Sequence, residues 1–341
     1  MGPITFIPVW LLQDALMLAV GVWVFAYIAR HEKHPVSIAI EVGAFAVLYA
    51  GTYENLATVI GWYQYGRSLL MYFNVPLAVL LLEGLVYYAG LKLMDRMAVP
   101  GWLKPLGAGA LAVIQDFAID PVETHETYRT AQGVTAHWTF HTPATPVSIA
   151  GEPVMNFTSW MFLVGAGAAW MMVGRWWHRR SGYNRTVGIL YPLLAVIAGL
   201  VTLGSPLSRL VLFARIGYDD APWTQWPRAS ELQWVCLAAA IVVPLVLLAV
   251  FWRGRFTAPV NAREDAPLIA VLVGLPIVEL LLAVAGRHWD ILGLVAAGAA
   301  AMLVLVGGIY RIAGRQTESA DASAEASATG PATETRASHH L

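Results

Sequence analysis

The sequence predicts an all-α protein, a polytopic transmembrane bundle of about nine helices with the N-terminus outside and the C-terminus inside. Three observations lead there. Hydrophobic residues make up 58% of the 341 and charged residues only 13%, about half the charged share of a soluble domain. The apolar residues gather in runs near the length of about 20 that crosses a bilayer core. Lys and Arg collect in alternate connections between those runs, as the positive-inside rule requires. The same composition excludes a disordered chain and an ordinary cytosolic enzyme. Nucleic acid is excluded as a partner too, because 21 Lys and Arg against 22 Asp and Glu leave no basic footprint for phosphate. With Cys236 the single cysteine, no intramolecular disulfide forms.

Nine segments read as spans: residues 4–29, 36–60, 68–92, 105–119, 156–174, 187–213, 232–252, 267–286 and 290–310. The first is too long for a signal peptide and lacks its basic start and small-residue cleavage site, so it reads as a helix. With the N-terminus outside, the inner connections and tail carry fifteen of the 21 Lys and Arg, including Arg30, Lys33, Lys92, Arg96, Arg175, Arg179, Arg253 and Arg255. Arg67, Arg129, Arg209, Arg215, Arg228 and Arg287 stay outside. Trp102, Trp176, Trp177, Trp223, Trp226, Trp252 and Trp289 fall at segment ends, where an aromatic belt belongs. Residues 1–315 form the membrane domain, with outer loops 120–155 and 215–230. Residues 316–341 turn to Ala, Ser, Thr and Glu without an apolar period and read as a disordered cytoplasmic tail. No internal repeat of the transporter kind is visible.

Ionisable residues inside apolar spans are costly, so each is a functional candidate. Asp14, Glu41, Glu54, Glu83, Asp116, Asp120 and Glu279 qualify, with Asn74, Gln115 and Asn156 adding neutral polarity. Asp116 and Asp120 are four apart and share one face at the outer end of the fourth span. Two carboxyls at a wet, apolar boundary suit general acid–base work, one holding a proton while the other accepts one. Asp120-Pro121-Val122-Glu123 also has the pattern of a helix start, with Asp120 as N-cap and Glu123 closing a capping box. Both readings stand at this stage. Glu54 leads into Gly61-Trp62-Tyr63-Gln64-Tyr65-Gly66 on the same outer side, where the tyrosines are interfacial anchors or the wall of a cleft. For Glu83, Glu279 and Asp14, each placed mid-span, interhelical hydrogen bonding is the plain explanation.

The 120–155 loop holds Glu123, His125, Glu126, His137 and His141. A mixed metal site is conceivable there, but the spacing matches no compact ligand signature. His339-His340 is too short for a metal tract, so neither metal nor cofactor is expected. Ser205 and Ser208 lack a nucleophile-elbow context. The Gly/Ala runs at 165–169 and 297–301 read as helix-packing surface.

Between residues 54 and 160 the motifs follow a familiar order: Glu54, Tyr63-Gln64-Tyr65, Asn74-Val75-Pro76-Leu77, Asp116-Phe117-Ala118-Ile119-Asp120-Pro121, Trp138-Thr139-Phe140, then Gly151-Glu152-Pro153-Val154-Met155-Asn156-Phe157-Thr158-Ser159-Trp160. This resembles the carotenoid-biosynthesis integral membrane family, whose members hydrate terminal double bonds of γ-carotene-type or bisanhydrobacterioruberin-type carotenoids. The resemblance implies a hydro-lyase of a prokaryotic cell membrane with a lipophilic carotenoid or isoprenoid substrate. Its partners would be the bilayer and other pigment-pathway membrane enzymes. It places Asp116, Asp120 and Asn156 at the chemistry, with the acid and base roles of the two aspartates open. Glu54, Tyr63, Tyr65, Glu83, Trp138 and Trp160 would hold substrate. The competing expectations are a carotenoid- or isoprenoid-binding protein without hydratase activity, and a small-molecule transporter using Asp14, Glu83 and Glu279 as a polar path.

Overall fold

The computed structural model describes residues 8–59, 61–130, 133–140, 148–205 and 232–328. Among these, nine helices run back and forth between two ends: α1 Val9–His31, α2 Pro35–Val59, α3 Leu77–Arg96, α4 Leu103–His125, α5 Val154–Arg180, α6 Arg185–Leu203, α7 Leu232–Trp252, α8 Ala266–Gly286 and α9 Leu292–Ala328. All but α4 are long and apolar enough to cross a membrane, and the chain is an integral membrane protein. The outward faces agree: Val22, Leu56, Val201, Val242, Val246, Leu281 and Val304 are exposed, a covering suited to lipid and not to water. α4 is long enough to span but carries Asp116, Asp120 and Glu123. It runs through the middle of the bundle, packed against α3, α5, α7, α8 and α9, so its polar residues meet protein.

Small residues let these helices approach closely. A Cβ built on Gly84 of α3 would sit 2.8 Å from the Ala46 Cβ of α2, so a larger residue at that crossing forces the two helices to shift. Ala44–Ala50 within α2 and Met161–Ala166 within α5 are π-helical. A π turn inserts a residue and shifts which side chains share a face.

At one end, short hairpins cap the bundle. β1 (Tyr63–Tyr65) pairs antiparallel with β6 (Trp138–Phe140), with Tyr63 opposite Phe140 and Tyr65 opposite Trp138. β2 (Met71–Tyr72) pairs with β3 (Val75–Pro76), β4 (Tyr128–Thr130) with β5 (Gly133–Thr135), and β7 (Ser148–Ile149) with β8 (Glu152–Pro153). The opposite end is basic and tied by buried ion pairs. Arg175 of α5 grips Glu41 of α2 through two hydrogen bonds of 2.6 and 2.8 Å and reaches Asp95 of α3 at 2.9 Å. Tyr87 and Tyr191 donate to the same Glu41, so this buried carboxylate is fully partnered.

Several boundaries differ from the sequence expectations. The third helix begins at Leu77 and not near 68, because Ser68–Pro76 is held as a hairpin. Asp14 accepts from Ser68 Oγ and Leu69 N, both at 2.6 Å, and Asn55 accepts from Asn74 N at 2.9 Å. Asp14 therefore sits at the hairpin end and not mid-span, Asn74 lies in a turn, and Glu83 falls in the second turn of α3. The expected outer loop 120–155 begins as helix: α4 continues through Pro121 to His125. Asp120 is interior to it and caps nothing. The last helix runs on to Ala328, past the boundary expected at Gln316. Alanine has the highest helix propensity and Glu is close to it, so that composition extends a helix as readily as it unfolds. The expected 215–230 loop and His141 lie outside the described residues.

One local device gives a simple test. Asn184 caps α6, its side chain accepting from Thr186 N at 2.9 Å and Val187 N at 3.3 Å. Asn184→Ala should cost about 1 kcal/mol, read as a lower thermal midpoint in detergent with the hairpin end unaffected.

Candidate functional site

The β1–β6 pairing explains the site. Side chains alternate across a strand, so Tyr63, Tyr65, Trp138 and Phe140 share the face turned into the bundle while Gln64 and Thr139 turn away. Their rings meet edge to face, with Tyr63 5.5 Å from Phe140 and Tyr65 6.0 Å from Trp138 between centroids. Beneath this aromatic roof is a pocket whose walls are Tyr53 and Glu54 of α2, Val79, Leu82 and Glu83 of α3, Asp120 of α4, and Asn156, Ser159, Trp160 and Leu163 of α5. Its interior void is about 40 Å³, room for a water molecule or two beside the polar tips.

The polar groups form two sets. Glu54 is 6% exposed and accepts from both Tyr63 and Tyr65 hydroxyls, the latter at 2.5 Å. Burial and the Glu54 carboxyl push both tyrosines well above their ordinary range, so they remain donors. Glu83 lies beside Glu54. On the other side Asn156 Nδ2 donates to Asp120 Oδ2 at 2.5 Å. Asp116 stands one turn behind Asp120, outside the pocket lining. It is buried to 1% exposure, and neither carboxyl oxygen meets a hydrogen-bond donor among the described residues. Its neighbours are the carboxyls of Asp120 and Glu152. Glu152, fully buried on the β7–β8 hairpin, likewise has both oxygens without a donor among the described residues. Burial and the Asp120 carboxyl push Glu152 well above the usual carboxylate range. Among the described residues no Lys, Arg or His lines the pocket. A proton held between facing carboxyls relieves their repulsion where no counter-charge is near. The arrangement gathers several carboxyls in an apolar, aromatic setting.

The structure thus brings together Glu54, Tyr63, Tyr65, Glu83, Asp120, Trp138, Asn156 and Trp160, and sets Asp116 behind them. It adds Tyr53, Phe140, Ser159 and Glu152. Glu152 lay within the Gly151-to-Trp160 motif, and its carboxyl next to Asn156 was the available signal. Nothing in a polar hairpin sequence announces complete burial. Glu279 is apart: with Glu123, it receives Gln13 Nε2, at 3.3 and 2.6 Å. That second polar cluster includes His137, whose Nδ1 meets Glu123 Oε2 at 2.5 Å and whose Nε2 lies 3.6 Å from Asp14 Oδ1. His137 is therefore buried between two carboxylates and not exposed in a polar loop. Among the described residues no group of three His, Cys, Asp or Glu is arranged to hold a metal ion. His125 and His288 join carboxylates at the ends of α4, α8 and α9, His288 Nε2 lying 3.0 Å from Glu126 Oε1.

Comparison of the chain with protein-family models, with curated proteins and with solved structures finds no match. The functional reading therefore rests on the residues of this pocket.

Proposed function

We propose that this protein is a carotenoid or isoprenoid hydratase, adding water across a terminal carbon–carbon double bond, and that it sits in a prokaryotic cell membrane with its basic end in the cytoplasm. The observation that carries the reading is the pairing of Asp120 and Asn156 opposite Glu54 and its two tyrosines, under a roof of aromatic rings and with no cationic side chain among the described residues that line the pocket. Hydration of a trisubstituted alkene needs three things that these residues supply. A carboxylic acid must protonate the less substituted carbon. Asp120 faces the pocket for this, with Asp116 behind it to share and return the proton. The tertiary carbocation then needs electron-rich faces. Tyr65, Trp138 and Trp160 offer rings worth about 0.5–2 kcal/mol each to a cation. Last, a single water must add to the cationic carbon. Glu54 and Glu83 hold it and take its surplus proton, so the net change is alkene plus water to tertiary alcohol. The supply of water comes from the hairpin end, where Trp138 and Phe140 also border an open cleft with Thr124, His125 and Asp290. A carotenoid is about as long as the roughly 30 Å hydrocarbon core, so its end group reaches this end of the bundle.

The test is direct. Purified protein in lipid, given a carotenoid with an acyclic isopropylidene end in ¹⁸O-water, should yield a tertiary alcohol carrying one ¹⁸O. Unchanged carotenoid co-purifying with folded protein, with no alcohol formed, would favour a carotenoid-binding role and end the hydratase proposal.

A further inference from the structure

At the basic end, the turn between α1 and α2 meets the turn between α5 and α6 across a pocket of about 160 Å³. Lys33, His34 and Ser37 line one side and His178, Arg179 and Tyr183 the other. The positive charges here exceed their partners. Arg175 at the floor is taken up by Glu41 and Asp95, and Glu32 by Lys92 at 2.5 Å and Tyr88 at 2.7 Å. Among the described residues Lys33 and Arg179 have no carboxylate partner; the Lys33 ammonium lies over the Tyr183 ring, 5.2 Å from its centroid.

Two histidines point to a missing hydrogen-bond partner. His178 is only 6% exposed, stacked on Tyr191, and its ring nitrogens make no hydrogen bond among the described residues. His34 stacks on Tyr183 at 4.0 Å, and its Nε2 is buried without a partner among the described residues. Burial first, then the neighbouring His178 and Lys33, hold His34 below its ordinary range. The first turn of α2 adds backbone donors. His34 stands at its N-cap without a side-chain cap and Pro35 has no N–H, so the N–H groups of Val36 and Ser37 face this end without an acceptor among the described residues. Imidazole nitrogens without a protein partner beside two cations without a carboxylate, all lining one pocket among the described residues, suit an anion. The level in the membrane is also defined: Trp176 and Trp177 are exposed beside the pocket, Trp176 under the Arg180 guanidinium, as residues at headgroup depth are.

We propose that this pocket binds the phosphate group of an anionic ligand at the membrane surface, with Lys33 and Arg179 supplying charge and His34, His178 and the start of α2 supplying hydrogen bonds. A phospholipid headgroup and free phosphate share that chemistry, and the experiment separates them. Full-length protein is released for native mass spectrometry from micelles containing phosphatidylglycerol or phosphatidylcholine, and its thermal midpoint is measured with and without inorganic phosphate. Wild type should retain one phosphatidylglycerol in preference to phosphatidylcholine. K33Q/R179Q should weaken that retention roughly 25-fold, at about fivefold for each charge near the surface. R311Q/R315Q, which removes two exposed charges elsewhere at the same end, should not. A rise in midpoint with inorganic phosphate, lost in K33Q/R179Q, would identify free phosphate as the source and support the same site. Equal retention of the two lipids with no phosphate effect would overturn the proposal, as would equal losses in the two double variants. None of these readouts depends on hydratase activity.

Discussion

Asp120→Asn should abolish hydration while leaving the protein folded. The amide keeps the volume of the carboxyl and can still pair with Asn156, which lies 2.5 Å from it, by turning its oxygen toward that donor. It cannot hand a proton to an alkene carbon. Loss of a general acid typically costs about 10²–10⁴-fold, so hydroxylated product should fall to near background at normal membrane expression. Asp116→Asn should fall less far, because Asp116 is outside the pocket lining and acts through Asp120. Because Asp120 is interior to α4 and caps nothing, a loss of product there cannot be a capping effect. Near-normal product from Asp120→Asn would sink the acid–base assignment, and product lost only in Asp116→Asn would move the donor role one turn down the helix.

His137→Ala should be the most destabilising single change at the hairpin end. His137 is 3% exposed between Glu123 and Asp14, which are 4% and 1% exposed. Removing the cation leaves two buried carboxylates unpaired, a loss of about 3–5 kcal/mol, visible as a large fall in thermal midpoint. Hydratase activity should go with it, since the imidazole ties to Glu123 and Asp14 the chain segment that leads into Trp138 and Phe140. The same ion pairs set a pH dependence. Burial alone would lower the His137 value, but Glu123 and Asp14 outweigh it and raise it from 6.5 to about 10. A histidine raised on folding contributes fully below its unfolded value and loses that contribution as pH passes its folded value. Stability relative to His137→Gln should therefore be greatest below pH 6.5 and decline toward pH 10. Parallel stability curves for the two proteins across that range would show that His137 carries no charge in the folded state.

The sequence by itself determined the membrane bundle, because burying backbone in lipid demands helices of a fixed length and composition, and those runs are read without knowing any contact. It also pointed to Asp120, Asn156, Glu54 and the tyrosines, since a carboxyl or amide beside an apolar span is costly enough to stand out. The tertiary structure decided what these residues are to one another. Tyr63-Gln64-Tyr65 and Trp138-Thr139-Phe140 lie far apart in the chain, and no local pattern requires two three-residue strands to pair; only their register turns four aromatic rings to one face. Asp116 and Asp120 share a helix face in sequence, yet the packing of α3 and α5 against α4 opens a cavity at Asp120 and closes protein over Asp116. The continuation of α4 through Pro121 had the same cause. The local signal favoured a cap, and burial of Val122 and Glu123, with Glu123 bound to His137 and Gln13, overrode it. Glu152 was hidden for the converse reason. Polarity in a hairpin predicts exposure, and only the fold of the β7–β8 turn onto the bundle buries that carboxyl beside Asp120. Periodicity and cost are local properties and survive in the sequence; enclosure is a property of several distant segments at once and exists only after they pack.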